Sequence, residues 1–167
     1  MIKLKDILNE VGEGTAKPYE YKWMSKIAGW DNQVAQFITD KGTGYEVNIA
    51  DFSEYPDPRN QEQDLPAINI DFLAKRFSDQ GWSTKIVTNE GDLYRIMATI
   101  MLIVKDAIEN RFDFDVQAIV YEPSKKTGEF GSNNKRDTLY RRFITRTFPG
   151  AQVMRDPDNA NIVIRIK

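Results

Sequence analysis

Leu93, Ile96, Met97, Ile100, Met101, Val104, Ala107 and Ile108 recur at the helical period through about four turns. Tyr94 and Ile103 widen the apolar arc to about half the circumference, at roughly 100° per residue. A helix this broadly apolar on one side needs an extended, flat partner, and a β-sheet is the surface that fits it. Leu102 stands apart, on the polar arc between Arg95 and Asp106. A single exposed leucine of this kind carries little information by itself.

The sheet is written mainly ahead of that helix. Tyr19, Tyr21 and Trp23 alternate with polar residues, and residues 34–39 form a second run. Lys41-Gly42-Thr43-Gly44 is a hairpin turn, with Tyr45, Val47 and Ile49 alternating beyond it. Residues 53–66 carry three prolines and many polar side chains and read as a loop. Residues 67–73 give a fourth strand with Ile68, Ile70 and Phe72 on one face. After the helix come a buried-type strand over 116–121 and a polar loop over 122–132. A second helix follows over 135–148, with Leu139, Tyr140, Phe143 and Ile144 turned inward, and Pro149-Gly150 stops it. Residues 152–155 and 162–166 close as a hairpin about 157–160.

The predicted order is β-β-β-β-α-β-α-β-β. The predicted class is therefore α+β, with a mixed, mostly antiparallel sheet and two long helices. A single domain is expected over 19–167, preceded by a segment over 1–18. In that segment Leu4, Ile7, Leu8 and Val11 have helical spacing, and Gly12, Gly14 and Pro18 then break the pattern. It reads as a short amphipathic helix on a flexible leash, either docked on the body or frayed in solvent. The fold is expected to survive its removal.

Composition removes whole classes of chemistry. The 167 residues include no cysteine and no histidine. Disulfides, thiolate nucleophiles, imidazole bases and the usual zinc sites go with them. Acid–base work must fall to Asp, Glu, Lys or Tyr. Neither a signal peptide nor a run long enough to cross a bilayer is visible. A cytoplasmic location is expected, of a cell or of an infected host, with no membrane partner. The net charge of −2 conceals a dipole. Residues 40–92 hold eleven acids against five bases, and residues 122–148 hold seven bases against three acids.

Asn133, Arg136, Leu139-Tyr140 and Phe143 give the second helix a recognisable form. Together with the element order over 32–167, this resembles the GNAT acetyltransferase fold. The family often carries there an Asn, a small residue three on, then Leu-Tyr and Gly-Phe. The resemblance implies acetyl-CoA, with its pyrophosphate on the N–H groups opening the first long helix. It also implies Tyr140 as the general acid that reprotonates the leaving thiolate, and Asn89, Gly91, Asn133 and Arg136 as cofactor contacts. The chain departs from the family at both ends of that site. Thr88-Asn89-Glu90-Gly91-Asp92-Leu93 keeps only Gly91 of the phosphate-loop glycine pattern, and it adds two carboxylates. Arg136 stands where a small residue is usual, and a guanidinium there either crowds the pantetheine slot or contacts a phosphate. As structural residues, Asp92 and Asn133 would cap helices, and Tyr140 would pack inward.

Met1 to Glu10 also resembles the opening of proteins encoded by large tailed phages. Some of those are packaged in the head and clipped after Leu-x-Glu, which Leu8-Asn9-Glu10 matches. The expected role is binding, with a phage or host protein as partner, in the virion or the host cytoplasm, and no cofactor. An amine N-acetyltransferase using acetyl-CoA is the alternative. A nucleic-acid contact through Lys125, Lys126, Lys135, Arg142 and Arg146 is a third reading.

Overall fold

The computed structural model describes residues 17–26, 29, 31–75, 92–123 and 135–167, and for Ala74, Lys75, Lys135 and Arg136 it describes the backbone alone. Among the described residues, two helices and a mostly antiparallel sheet make it an α+β protein. The strands are β1 (Tyr21–Trp23), β2 (Gln33–Ile38), β3 (Gly44–Phe52), β4 (Pro56–Asp57), β5 (Asn60–Asp64) and β6 (Ala67–Lys75). Helix α1 (Leu93–Asn110), β7 (Ala118–Tyr121), helix α2 (Lys135–Thr147), β8 (Gln152–Arg155) and β9 (Ile162–Arg165) complete the order. Seven strands join in the order β1-β2-β3-β6-β7-β9-β8, and β4-β5 form a separate two-stranded sheet.

The β2–β3 turn shows why the sheet begins where it does. Gly42 takes φ +84°, a left-handed conformation that glycine adopts without a Cβ penalty. The N–H of Thr39 then reaches Thr43 O at 2.9 Å. From that turn, β3 pairs with β6 over nine residues, from Gly44↔Lys75 to Phe52↔Ala67. Every pair in the sheet is antiparallel except β6–β7, which is parallel and holds only Ala67↔Ala118, Ile68↔Ile119 and Asn69↔Val120. Parallel neighbours need a crossover, and the segment containing α1 supplies it.

Period-2 alternation divides the sheet into two faces. Val47, Ile49, Ile68, Ile119, Tyr121, Ile162 and Ile164 form one core with both helices. Ile96, Met97, Ile100, Ile103, Val104 and Ala107 enter it from α1, and Leu139, Phe143 and Ile144 from α2. Tyr94 meets Phe143 at 6.1 Å between ring centroids and ties the helices to each other. On the opposite face Tyr55, Leu65, Ala67, Ala118, Val120 and Val163 make a smaller cluster, flanked by Phe52 and Met154.

Residues 53–66 are more ordered than a plain loop. Besides the β4–β5 hairpin they carry Asp57, which is buried and faces Arg59 at 3.3 Å and Arg165 at 3.8 Å. Carboxylate–guanidinium pairs of this kind organise a polar turn that propensity alone reads as irregular. Tyr55 donates to Asp156, and Gln61 donates to Asp158 at 2.6 Å. The hairpin is thereby fastened to the β8–β9 turn.

The edge at β1 is held by side chains as well as by strand pairing. Tyr19 N–H reaches the buried Thr99 Oγ1 at 2.8 Å, and that hydroxyl donates to Arg95 O at 2.6 Å. Arg95 lies over the Tyr19 ring at 3.8 Å and donates to Lys17 O at 2.9 Å and to Asp40 at 2.6 Å. The end of the expected leash, at Lys17 and Pro18, is thus fixed to α1. Residues 1–16 lie outside the described residues. Tyr21 OH at 2.7 Å and Trp23 Nε1 at 2.8 Å converge on Asp106, which also accepts from Asn110 at 2.8 Å.

Those donors hold the Asp106 carboxyl below its ordinary value, with Tyr21 the largest cause, then Trp23 and Asn110. A depressed carboxylate contributes stability that is present above its unfolded pKa of about 4 and lost as pH falls through the lower folded value. Asp106→Asn is expected to flatten the acid limb of stability against pH. Asp106→Ala is expected to cost about 1 kcal/mol at neutral pH. Urea unfolding between pH 2 and 7 checks both, and an unchanged acid limb in Asp106→Asn contradicts the first.

Candidate functional site

The sheet forks where its one parallel pair ends. Beyond Asn69↔Val120, residues 70–75 of β6 continue beside β3 alone, while β7 stays with β9 up to Tyr121↔Ile162. Asn69 Nδ2 donates to Val120 O at 3.3 Å and bridges the two strands at the fork. A short parallel ladder between two longer antiparallel blocks opens in this way because each strand follows its own antiparallel neighbour.

Helix α2 covers the fork on the core side. Tyr140 is half-buried, with its ring edge-on to Phe72 of β6 at 5.2 Å and to Tyr121 of β7 at 5.8 Å. Edge-to-face geometry of this kind is favourable beyond area burial alone. Tyr121 donates through its hydroxyl to Asp137 at 2.7 Å, and Arg141 donates to the other oxygen of the same buried carboxylate at 2.8 Å. Burial first, and then the Asp137 hydrogen bond, push the Tyr121 hydroxyl far above its ordinary range. It is a fixed donor and not a proton source near neutral pH.

The opposite face of the fork is polar. Asn48 stands opposite Asp71 across β3–β6, and Gln36 Nε2 donates to Glu46 at 2.9 Å one step along. Asn48 Oδ1 is buried and has no hydrogen-bond partner among the described residues. The Asp71 carboxyl is raised from its ordinary value, first by burial against the sheet and also by the Glu122 charge, against a stabilising N–H from Phe72. Asp71 keeps much of its surface in solvent, so the effect is that of a sheet wall and not of a closed interior. Asp71 and Glu122 were missed in the sequence. Asp71 could have been found as the acidic residue alternating with Ile70 and Phe72, but nothing in the sequence put Glu122 beside it.

Among the residues expected at a cofactor site, only Tyr140 lies at the fork with a described side chain. Asn89, Gly91 and Asn133 lie outside the described residues, as do Lys125, Lys126 and Glu10. Lys135 and Arg136 begin α2, and their side chains are not described. Asp92 precedes α1 but makes no side-chain capping bond. Its carboxylate accepts from Tyr19 OH at 2.6 Å. Burial, then that bond, push the Tyr19 hydroxyl up to about 12. Arg142 and Arg146 are exposed one turn apart on α2. Arg142, two residues from Tyr140, is on another side of the helix. Of the expected basic residues, Arg142 therefore lies apart from the fork.

Among the described residues no group of three or more acidic side chains is arranged to hold a metal ion, and no helix is long and apolar enough to cross a membrane. No family model, curated protein or solved structure matches the chain.

The Tyr121–Asp137 bond is the polar support beneath Tyr140. Tyr121→Phe leaves Asp137 with Arg141 but removes a buried donor, and is expected to cost about 1–2 kcal/mol. Urea denaturation midpoints compared with those of the native chain check this, and an unchanged midpoint contradicts it.

Proposed function

We propose that this chain is a phage-type GNAT-like domain that acts by binding a protein partner, in the virion or in the host, without efficient acetyl transfer. The relationship is supported by the strand order, by its single parallel step at the crossover through α1, and by Tyr140 on the second helix facing that step. The residues of the Asn133 to Phe143 pattern support it from the sequence side.

One observation carries the reading as a binder. The resemblance puts the pantetheine slot beside α2 on the Tyr140 side. Here the rings of Phe72, Tyr121 and Tyr140 pack edge-to-face across that position, and Asp137 locks Tyr121 in place. A cofactor would have to displace a packed aromatic cluster, and that costs much of the binding free energy it brings. Glu90 and Asp92 add to the cost. Two carboxylates within ~5 Å of a pyrophosphate each oppose it by on the order of 1 kcal/mol at intermediate dielectric.

The acetyltransferase reading has one observation in its favour. Asp71, with its raised carboxyl, sits at the fork on the face away from α2, where an amine would approach. It would be the base and Tyr140 the acid.

Calorimetric titration of the full chain with acetyl-CoA separates the two. The expected result is no saturable binding at submillimolar concentration, together with undiminished partner binding by Tyr140→Phe. That substitution keeps the ring and removes only the hydroxyl. Tight acetyl-CoA binding, with amine acetylation that collapses in Tyr140→Phe and Asp71→Asn, would overturn the reading.

A further inference from the structure

Two rows of side chains border a groove of about 350 Å³ between the helices. Ala98, Met101, Leu102 and Lys105 of α1 stand at i, i+3, i+4 and i+7 along one wall. Phe143, Arg146 and Thr147 of α2 stand at i, i+3 and i+4 along the other. Met101 and Phe143 also belong to the core, so the floor of the groove is fixed by the packing beneath it. Leu102 is 44% exposed above that floor, between the buried Met101 and Ile103. Scattered surface leucines need no explanation, but one set in a concave apolar wall marks a surface that a further apolar group can fill.

The rows decide the shape of what fits. Rows at these spacings leave a seam into which the side-chain ridge of a third helix packs. The α1 wall is ~10 Å long at 1.5 Å per residue, about two turns. A helical segment with apolar anchors at i, i+3, i+4 and i+7 matches that length.

The charges decide its sign. Lys105 on one wall and Arg146 on the other put a cation on each rim. Arg142 is exposed one turn before Arg146. The described acids nearby are engaged elsewhere: Asp106 by Tyr21, Trp23 and Asn110, Asp137 by Tyr121 and Arg141, and Asp40 by Arg95. Glu109 is exposed one turn beyond Lys105, past the end of the lining. A segment with carboxylates on both flanks of its apolar stripe therefore meets an opposite charge on each rim. A second copy of this chain would bring the same cations against them, and a seam two turns long falls short of the area a stable dimer buries. Nucleic acid would use the cations and leave the apolar floor unfilled.

Resting on the reading of this chain as a binder, we infer that its protein partner docks in the α1–α2 groove through an acidic amphipathic helix. Met101, Leu102 and Phe143 take the apolar anchors of that helix, and Lys105 and Arg146 pair with its flanking carboxylates.

The test uses the full chain and a fluorescent synthetic peptide with leucines at i, i+3, i+4 and i+7 flanked by glutamates. Saturable binding with a Kd on the order of 10 μM is expected from fluorescence anisotropy. Affinity is expected to fall about fivefold or more in Leu102→Ser, and about tenfold in the paired change Lys105→Glu with Arg146→Glu. The same peptide with lysines in place of its glutamates is expected to prefer the paired variant to the native chain. All three positions are exposed, so an unchanged Tm is expected in both variants. Absence of saturation by ~1 mM overturns the proposal. Equal binding of the two peptides by the native chain overturns it too, as does an unchanged Kd in Leu102→Ser. A DNA duplex whose binding is lost in the paired variant and kept in Leu102→Ser overturns it in favour of nucleic acid. A native chain that dimerises, and becomes monomeric in Leu102→Ser, overturns it in favour of a second copy. Failure of the peptide leaves the acetyl-CoA titration, and the reading as a binder, to stand or fall separately.

Discussion

Three residue pairs hold this sheet together across its middle. Among the described residues, Ala67↔Ala118, Ile68↔Ile119 and Asn69↔Val120 make up the strand ladder that joins the block β1-β2-β3-β6 to the block β7-β9-β8. So short a ladder contributes little by itself, and the junction is kept by what lies on each side of it. Ile68 and Ile119 are fully buried beneath the helices, and Ala67, Ala118 and Val120 are fully buried under the Tyr55–Leu65 segment. Small residues on that second face let the segment approach closely. The fork above the junction exists because the ladder is short, and Tyr140, Tyr121 and Asp71 acquire their setting from it.

Polar anchors compensate for a small, irregular edge. Strand β1 has three residues and one strand partner, yet Tyr21 and Trp23 each send a polar group to Asp106 of α1, and Tyr19, just ahead of the strand, sends its hydroxyl to Asp92, just ahead of the helix, while all three rings join the core. Such amphipathic aromatics bury area and satisfy a hydrogen bond at once. Tyr19, Phe37 and Tyr45 stack in sequence, at 6.0 and 5.1 Å between centroids, and carry the same edge across to β3. The aromatic alternation that marks β1 in the sequence is thus also the means of its attachment.

Much of this was legible beforehand, because it rests on period. The α1 stripe, the β2–β3 hairpin about Gly42, the Ile68-Ile70-Phe72 face and the 152–155 strand each follow from spacing alone, and Leu102 was already visible as the exception on its helix. What escaped notice depends on contacts distant in sequence. The 53–66 hairpin is stabilised by Asp57 with Arg165 and by Tyr55 with Asp156, partners no local window contains. Asp92 looked like a cap and is instead held by Tyr19, 73 residues away. At the fork, Tyr140 was identifiable from its place in the helix, whereas Asp71 and Glu122 needed the sheet register to become neighbours.

The placement of β9 between β7 and β8 also sets an order of assembly. Among the described residues strand β8 pairs only with β9, through a turn of local bonds among Asp156, Asp158, Asn159 and Asn161. This hairpin closes a short loop, whereas pairing β9 with β7 must close one that contains all of α2. Loop-closure entropy therefore favours closing the hairpin first and docking it on β7 as a single piece. Two of the seven strands are thereby delivered in one non-local step, the kind that slows a folding reaction more than chain length does.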